Sequence, residues 1–137
     1  MKRGIAKTIA LGAAAASLWI TGAPVADAQD KPIPKPNLVM RQDIEVPGRE
    51  VAMSFVEFPA GSAEVPHTHP AELFVFVREG EVSLESEGKP TTTYKVGDVF
   101  YVGAGKIHRV SNATGDTART VAFFVAEKGK PLTTPVK

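Results

Sequence analysis

The sequence predicts an all-β domain, a sandwich or small barrel of short strands. Three observations carry that expectation. Beyond residue 28, apolar residues recur at a period of two and a helical period is hard to find. Runs rich in Val, Phe, Thr and Tyr are cut by Gly or Pro at regular spacing. A chain of 137 residues is long enough for one buried core and too short for several.

In chain order, Met1 to Ala28 reads as a secretory signal peptide. Lys2, Arg3 and Lys7 precede an apolar, alanine-rich run from Ile9 to Ile20. Ala26-Asp27-Ala28 then places small residues where a signal peptidase needs them. The uncharged stretch from Thr8 to Val25 is barely long enough to span a bilayer, and Gly22-Ala23-Pro24 ends it, so cleavage is favoured over a membrane anchor. The mature chain is expected to start at Gln29, in the periplasm or outside the cell, with no membrane attachment. Residues 29–37 contain Pro32, Pro34 and Pro36, which favour an extended polyproline conformation, and read as a mobile leader.

The compact part is expected over residues 38–126. Val51 to Phe58 is β-branched and aromatic and stops at Pro59-Ala60-Gly61. Leu73 to Val77 is continuously apolar, as in a strand covered on both faces. Glu79-Gly80 turns the chain into Glu81 to Glu85, where Val82 and Leu84 share one side. After Glu87-Gly88-Lys89-Pro90 come Thr91 to Val96, then Val99 to Val102, Ile107 to Val110 and Val121 to Ala126. Residues 127–137, with Gly129, Pro131 and Pro135, read as a tail.

Composition removes several function classes. There is no cysteine, hence no disulfide framework, thiolate metal site or cysteine nucleophile. Net charge is +1, slightly negative once the basic first segment is set aside, and no basic run exists, which argues against nucleic acid as a partner. Gly103-Ala104-Gly105-Lys106 lacks the upstream glycine and the following Ser or Thr of a phosphate loop and reads as a turn. The serines have no nucleophile-elbow context, and Glu79, Glu81, Glu85 and Glu87 read as a solvated edge that discourages intermolecular pairing.

The informative residues are the three histidines, His67, His69 and His108. Residues two apart on an extended segment point to one face, about 6.6 Å apart at the alpha carbon. Two imidazoles so placed can converge on one ion at about 2.0–2.1 Å each. A His-x-His pair without context is weak evidence, and its setting adds the weight.

Gly61, five residues, His67-Thr68-His69 and then Gly80 resembles the first motif of the cupin superfamily. Gly97, five residues, the Gly103-Ala104-Gly105 turn, His108 and Asn112 resembles the second. The chain looks most like small exported single-domain cupins. The resemblance implies a double-stranded β-helix, a jelly-roll barrel. It also implies a metal site of two histidines and a glutamate from the first motif and one histidine from the second. His67, His69 and His108 match. The glutamate does not: its usual place is Leu73, while Glu72 falls one residue early and by alternation faces the other way. Gly103 stands where proline is usual.

Three neutral imidazoles suit a divalent transition metal, Fe, Mn, Ni, Cu or Zn, and leave positions open. By resemblance, the leading expectation is an exported cupin that holds a divalent metal through these histidines; if it is an enzyme, oxygen-dependent cleavage of a small chelating organic substrate is the natural reaction. The rivals are a non-catalytic cupin that binds a small ligand or metal, and a domain with a vestigial pocket. A homodimer is expected from the apolar Leu73 to Val77 run and from the way small cupins pair through their sheets.

Overall fold

The computed structural model describes residues 30–137. Residues 1–28, read above as a signal peptide, lie outside the described residues. The described chain forms strands and no helix: β1 (Lys35–Asp43), β2 (Arg49–Phe58), β3 (His67–Thr68), β4 (Ala71–Glu79), β5 (Glu81–Ser86), β6 (Thr92–Lys95), β7 (Val99–Val102), β8 (His108–Ser111), β9 (Ala118–Glu127) and β10 (Thr134–Pro135). They assemble into two five-stranded sheets in the orders β1-β2-β9-β4-β7 and β10-β3-β8-β5-β6, with every pairing antiparallel. Two facing antiparallel sheets around one core are the double-stranded β-helix that the motifs imply.

Alternation explains which side of each strand is buried. In β4, Leu73, Val75 and Val77 face inward, while Phe74 and Phe76 face out. In β9, Ala122, Phe124 and Ala126 face inward, beside Ala52, Val56 and Phe58 of the neighbouring β2. Val82 and Leu84 of β5, Phe100 and Val102 of β7 and Val110 of β8 complete the core. The reading of Leu73 to Val77 as covered on both faces therefore does not hold within a single chain, where the outer face stays open.

Gly80 links β4 to β5, and it must be glycine for two reasons. Its φ is +69°, a region that costs residues with a Cβ. A Cβ there would also lie 3.0 Å from Ala118. Asn112, buried at 1% exposure, ties the loop after β8 to the end of β2: its side-chain amide donates to the Phe58 carbonyl at 2.9 Å and the Asp116 carbonyl at 2.7 Å, and its oxygen accepts the Thr114 N–H at 2.9 Å.

Strand pairing extends past residues 38–126 at both ends. β1 begins at Lys35, inside the proline-rich segment, and runs as an exposed edge strand, the place in a sheet where proline is tolerated. The last residues are also tied down. Glu127 N–H donates to Pro70 O at 2.9 Å, Val136 N–H donates to Pro66 O at 2.9 Å, and β10 pairs with β3. Leu132 packs on the core.

Candidate metal centre

The sheet brings all three histidines to one place. His67 on β3 stands directly opposite His108 on β8 in the antiparallel register. His69 follows two residues after His67, so the two side chains share a face. The ring centroids are 4.4, 4.7 and 5.0 Å apart, and all three side chains are buried. One ring nitrogen from each lies within 4.8 Å of the other two.

Hydrogen bonds fix the tautomers. A backbone carbonyl only accepts, so each ring nitrogen that meets one must carry the proton. His67 Nδ1–H donates to Val65 O at 2.8 Å, His69 Nδ1–H to Leu132 O at 2.6 Å and His108 Nδ1–H to Lys106 O at 3.0 Å. Each neutral ring is thereby left with a bare Nε2 lone pair. His67 Nε2 and His69 Nε2 are only 3.1 Å apart, and in the neutral rings no proton lies between them. Two facing lone pairs repel unless a cation sits between them. Ligating histidines characteristically hold their second nitrogen in this way against a carbonyl or carboxylate. The residues therefore fit a divalent metal.

Burial favours the neutral form of His69 and His108. His69 is pushed down to about 4, chiefly by desolvation and further by the neighbouring His67 and His108, with the Leu132 carbonyl opposing. His108 is lowered for the same first reason. A base whose folded pKa is depressed binds fewer protons in the native state than in the unfolded one. The contribution of His69 to the stability of the metal-free protein should therefore be lost as pH drops from about 6.5 to about 4, on the order of 3 kcal/mol across that window. Urea unfolding of chelator-treated protein at stepped pH measures this, and a flat profile between pH 7 and 4 would contradict it.

The histidines line a cavity of about 570 Å³ between the sheets. Its walls are mostly apolar, with Val56 and Phe58 of β2, Leu73 and Val75 of β4, Val110 of β8 and Phe124 of β9. Phe124 stands edge-on to His69 at 5.0 Å. Segments read from sequence as spacer and tail contribute as well: Ile33, Pro34 and Pro36 from the start, Leu132 and Thr133 from the end.

The carboxylates resolve differently from the motif. Leu73 faces the cavity, and Glu72 is turned to the outer side, where its Oε2 accepts the Tyr101 hydroxyl at 2.5 Å. The acidic side chain that does line the cavity is Glu64, which sequence reasoning missed. It lies in the five-residue spacer between Gly61 and His67, a loop without periodicity to mark it. Its Oε2 accepts the Val110 N–H at 2.9 Å and lies 3.9 Å from His67 Nε2. Burial pushes the Glu64 pKa up, while His67 and the Val110 N–H pull it back.

Comparison with known proteins agrees with this geometry. The family model described as Cupin domain matches residues 54–124, which contain all three histidines. Similar solved structures include a conserved protein with a double-stranded β-helix domain from Klebsiella pneumoniae, with a TM-score of 0.63 at 16% identity over 76% of this chain and 84% of that one. A DMSP lyase from Ruegeria pomeroyi gives 0.58 at 23% identity over 63% of this chain and 43% of that one. An oxalate oxidase in complex with the substrate analogue glycolate gives 0.57 at 26% identity over 63% and 46%. The chain thus spans less than half the length of the lyase and the oxidase. No curated protein matches the sequence.

Proposed function

Because the chain belongs to the cupin domain family, we propose that it holds a divalent transition metal through His67, His69 and His108 and presents it to a small organic ligand in the barrel. One observation carries this reading: three buried imidazoles each bring a ring nitrogen within 4.8 Å of the other two, and each has its Nδ1–H against a backbone carbonyl. The metal would supply Lewis acidity, with or without redox chemistry, to whatever coordinates its open positions.

This chain's own residues do the rest. The carbonyls of Val65, Leu132 and Lys106 hold the rings in the ligating tautomer. The apolar walls thin out water around the site and so strengthen electrostatic interactions within it. The cavity suits a ligand with a chelating head and an apolar body. An oxalate oxidase among the similar structures, crystallised with glycolate, supports a small oxygen-rich chelator as the head group. Oxygen-dependent oxidation of such a substrate is the leading reaction. Leu73 in the usual glutamate position favours a second reading, a cupin that binds metal and ligand without turnover. Oxygen uptake by metal-loaded protein on a panel of hydroxy acids and dicarboxylates separates the two. Uptake with any member supports the enzyme. Calorimetric binding without uptake supports the binding protein, and neither signal counts against both.

The mature protein acts, in this proposal, outside the cytoplasm and as a homodimer. The outer face of the β2-β9-β4-β7 sheet exposes Phe55, Phe74, Phe76, Val99, Tyr101 and Phe123. An apolar area of that kind marks an interaction site, and an isologous pairing of two such faces would cover it.

A further inference from the structure

We propose that Ser54 of β2 and Thr120 of β9 form a second recognition point in the cavity, for an uncharged hydroxyl or carbonyl on the body of the ligand. The inference rests on the metal-site reading above and deepens it. The ligand then has a chelating head, an apolar stretch and one neutral polar group beyond it.

The first support is burial without a partner. Ser54 is 7% exposed and Thr120 is 2% exposed, and both line the cavity. The described Ser and Thr hydroxyls that bond within the protein are those of Ser83, Thr92, Thr93, Thr114 and Thr133. Ser54 and Thr120 are not among them. A buried hydroxyl without a partner costs stability. Inward positions of β2 and β9 otherwise carry Ala, Val and Phe, so two hydroxyls there call for a partner from the cavity. The Ser62 hydroxyl is also unpaired, but it is sealed away and does not line the cavity.

The second support is placement. Ser54 pairs with Ala122, and Val56 pairs with Thr120. Ser54 and Thr120 are therefore diagonal neighbours on the inner face of the sheet. Such neighbours lie about 7–8 Å apart, close enough for two hydroxyls to flank one ligand group. Their sheet faces the one that carries His67 and His108. Phe124, edge-on to His69, marks the histidine end of β9 and pairs with Ala52. Ser54 lies two residues from Ala52, and Thr120 lies four from Phe124. At about 3.4 Å per residue they stand roughly 7 and 14 Å along the sheet from that end. Ala122 and Val75 fill the interval with apolar surface.

The third support is charge. No Lys or Arg lines the cavity among the described residues. Glu64 lies at the histidine end, with Oε2 3.9 Å from His67 Nε2. A charged group beside Ser54 and Thr120 would lose its hydration without gaining a counter-ion. A neutral hydroxyl or carbonyl suits them, because each hydroxyl both donates and accepts.

Calorimetric titration of Zn(II)-loaded protein with hydroxamates tests this. The probes are an n-alkyl hydroxamate and the isomers that carry one hydroxyl at successive carbons of the same tail. The hydroxamate group takes the metal in every case, so only the tail differs. One isomer is expected to bind wild type about 10-fold more tightly than the plain compound. The double variant Ser54→Ala, Thr120→Val should lose that preference, and Thr120→Ser, which restores a hydroxyl, should keep it. If the double variant melts early, Thr120→Val alone carries the test and must lose part of the preference. A wild type that binds the plain tail as well as every hydroxylated isomer overturns the inference and leaves the metal site standing. A preference that survives in the double variant also overturns it. Wild-type protein that takes up no Zn(II) overturns the metal-site reading, and this inference with it.

Discussion

Replacing His69 by alanine is expected to remove metal binding while leaving the barrel folded. The ring contributes one of three Nε2 lone pairs, and its partner across the 3.1 Å gap, His67, is left without a convergent neighbour. Losing an outer hydrogen-bond partner of a ligand already costs about 10–100-fold in metal affinity. Losing the ligand itself should cost more than about 100-fold, which corresponds to roughly 3 kcal/mol. The fold has less to lose. The removed ring enlarges an existing cavity and leaves the Leu132 carbonyl without that donor. The same substitution also removes a base that burial holds neutral, so the metal-free variant should resist acid better than wild type between about pH 6.5 and 4. Chelator competition and urea unfolding at two pH values measure both effects. A variant that keeps wild-type affinity would mean that His69 only packs.

Ending the chain after Pro131 is expected to weaken the site from a distance. The removed residues include Leu132, whose carbonyl accepts the His69 Nδ1–H at 2.6 Å, and Thr133, whose hydroxyl lies 3.4 Å from the same nitrogen. They also include β10, which covers β3 and therefore His67. Without the carbonyl, His69 is free to rotate and to place its proton on either nitrogen. Metal affinity should fall about 10–100-fold. The buried area of Leu132 and the β10 hydrogen bonds go as well, so the melting temperature should drop by several degrees. Leu132→Ala is the control: it keeps the carbonyl, and should lose stability but little affinity. A truncated chain that holds metal as tightly as wild type would show that the last residues play no part in orienting His69.

The strand rhythm was legible because a half-buried sheet writes itself into sequence at a period of two. Val99 to Val102 was read with its observed ends, β5 was located from its inward Val82 and Leu84, and β4 and β9 were located from continuous apolar runs shorter than the strands. The histidine trio was legible because spacing between two glycine-bounded motifs carries it. Four features were not. β1 was hidden by the prolines before it and by Pro36 within it, which an exposed edge strand tolerates. β3 and β10 are two residues each, too short for any periodicity, and exist because the cavity rim pairs them. The carbonyls that orient the imidazoles belong to the backbone and leave no mark in residue type. Glu64 was invisible for a related reason: its place in the cavity wall comes from the pairing of its loop with β8, a contact 46 residues distant in sequence. Glu72, one residue off the motif, was correctly placed on the opposite face by alternation alone, and its bond to Tyr101 shows where its carboxylate goes.

The central claim is that the imidazoles of His67, His69 and His108 share one metal ion. Elemental analysis of protein purified without chelators or affinity metals tests it most directly. The account predicts about one divalent transition-metal ion per chain in the wild type and almost none in the His69→Ala variant. Wild-type protein that emerges without metal, and takes up none when Fe(II), Mn(II), Ni(II), Cu(II) or Zn(II) is added, would contradict it.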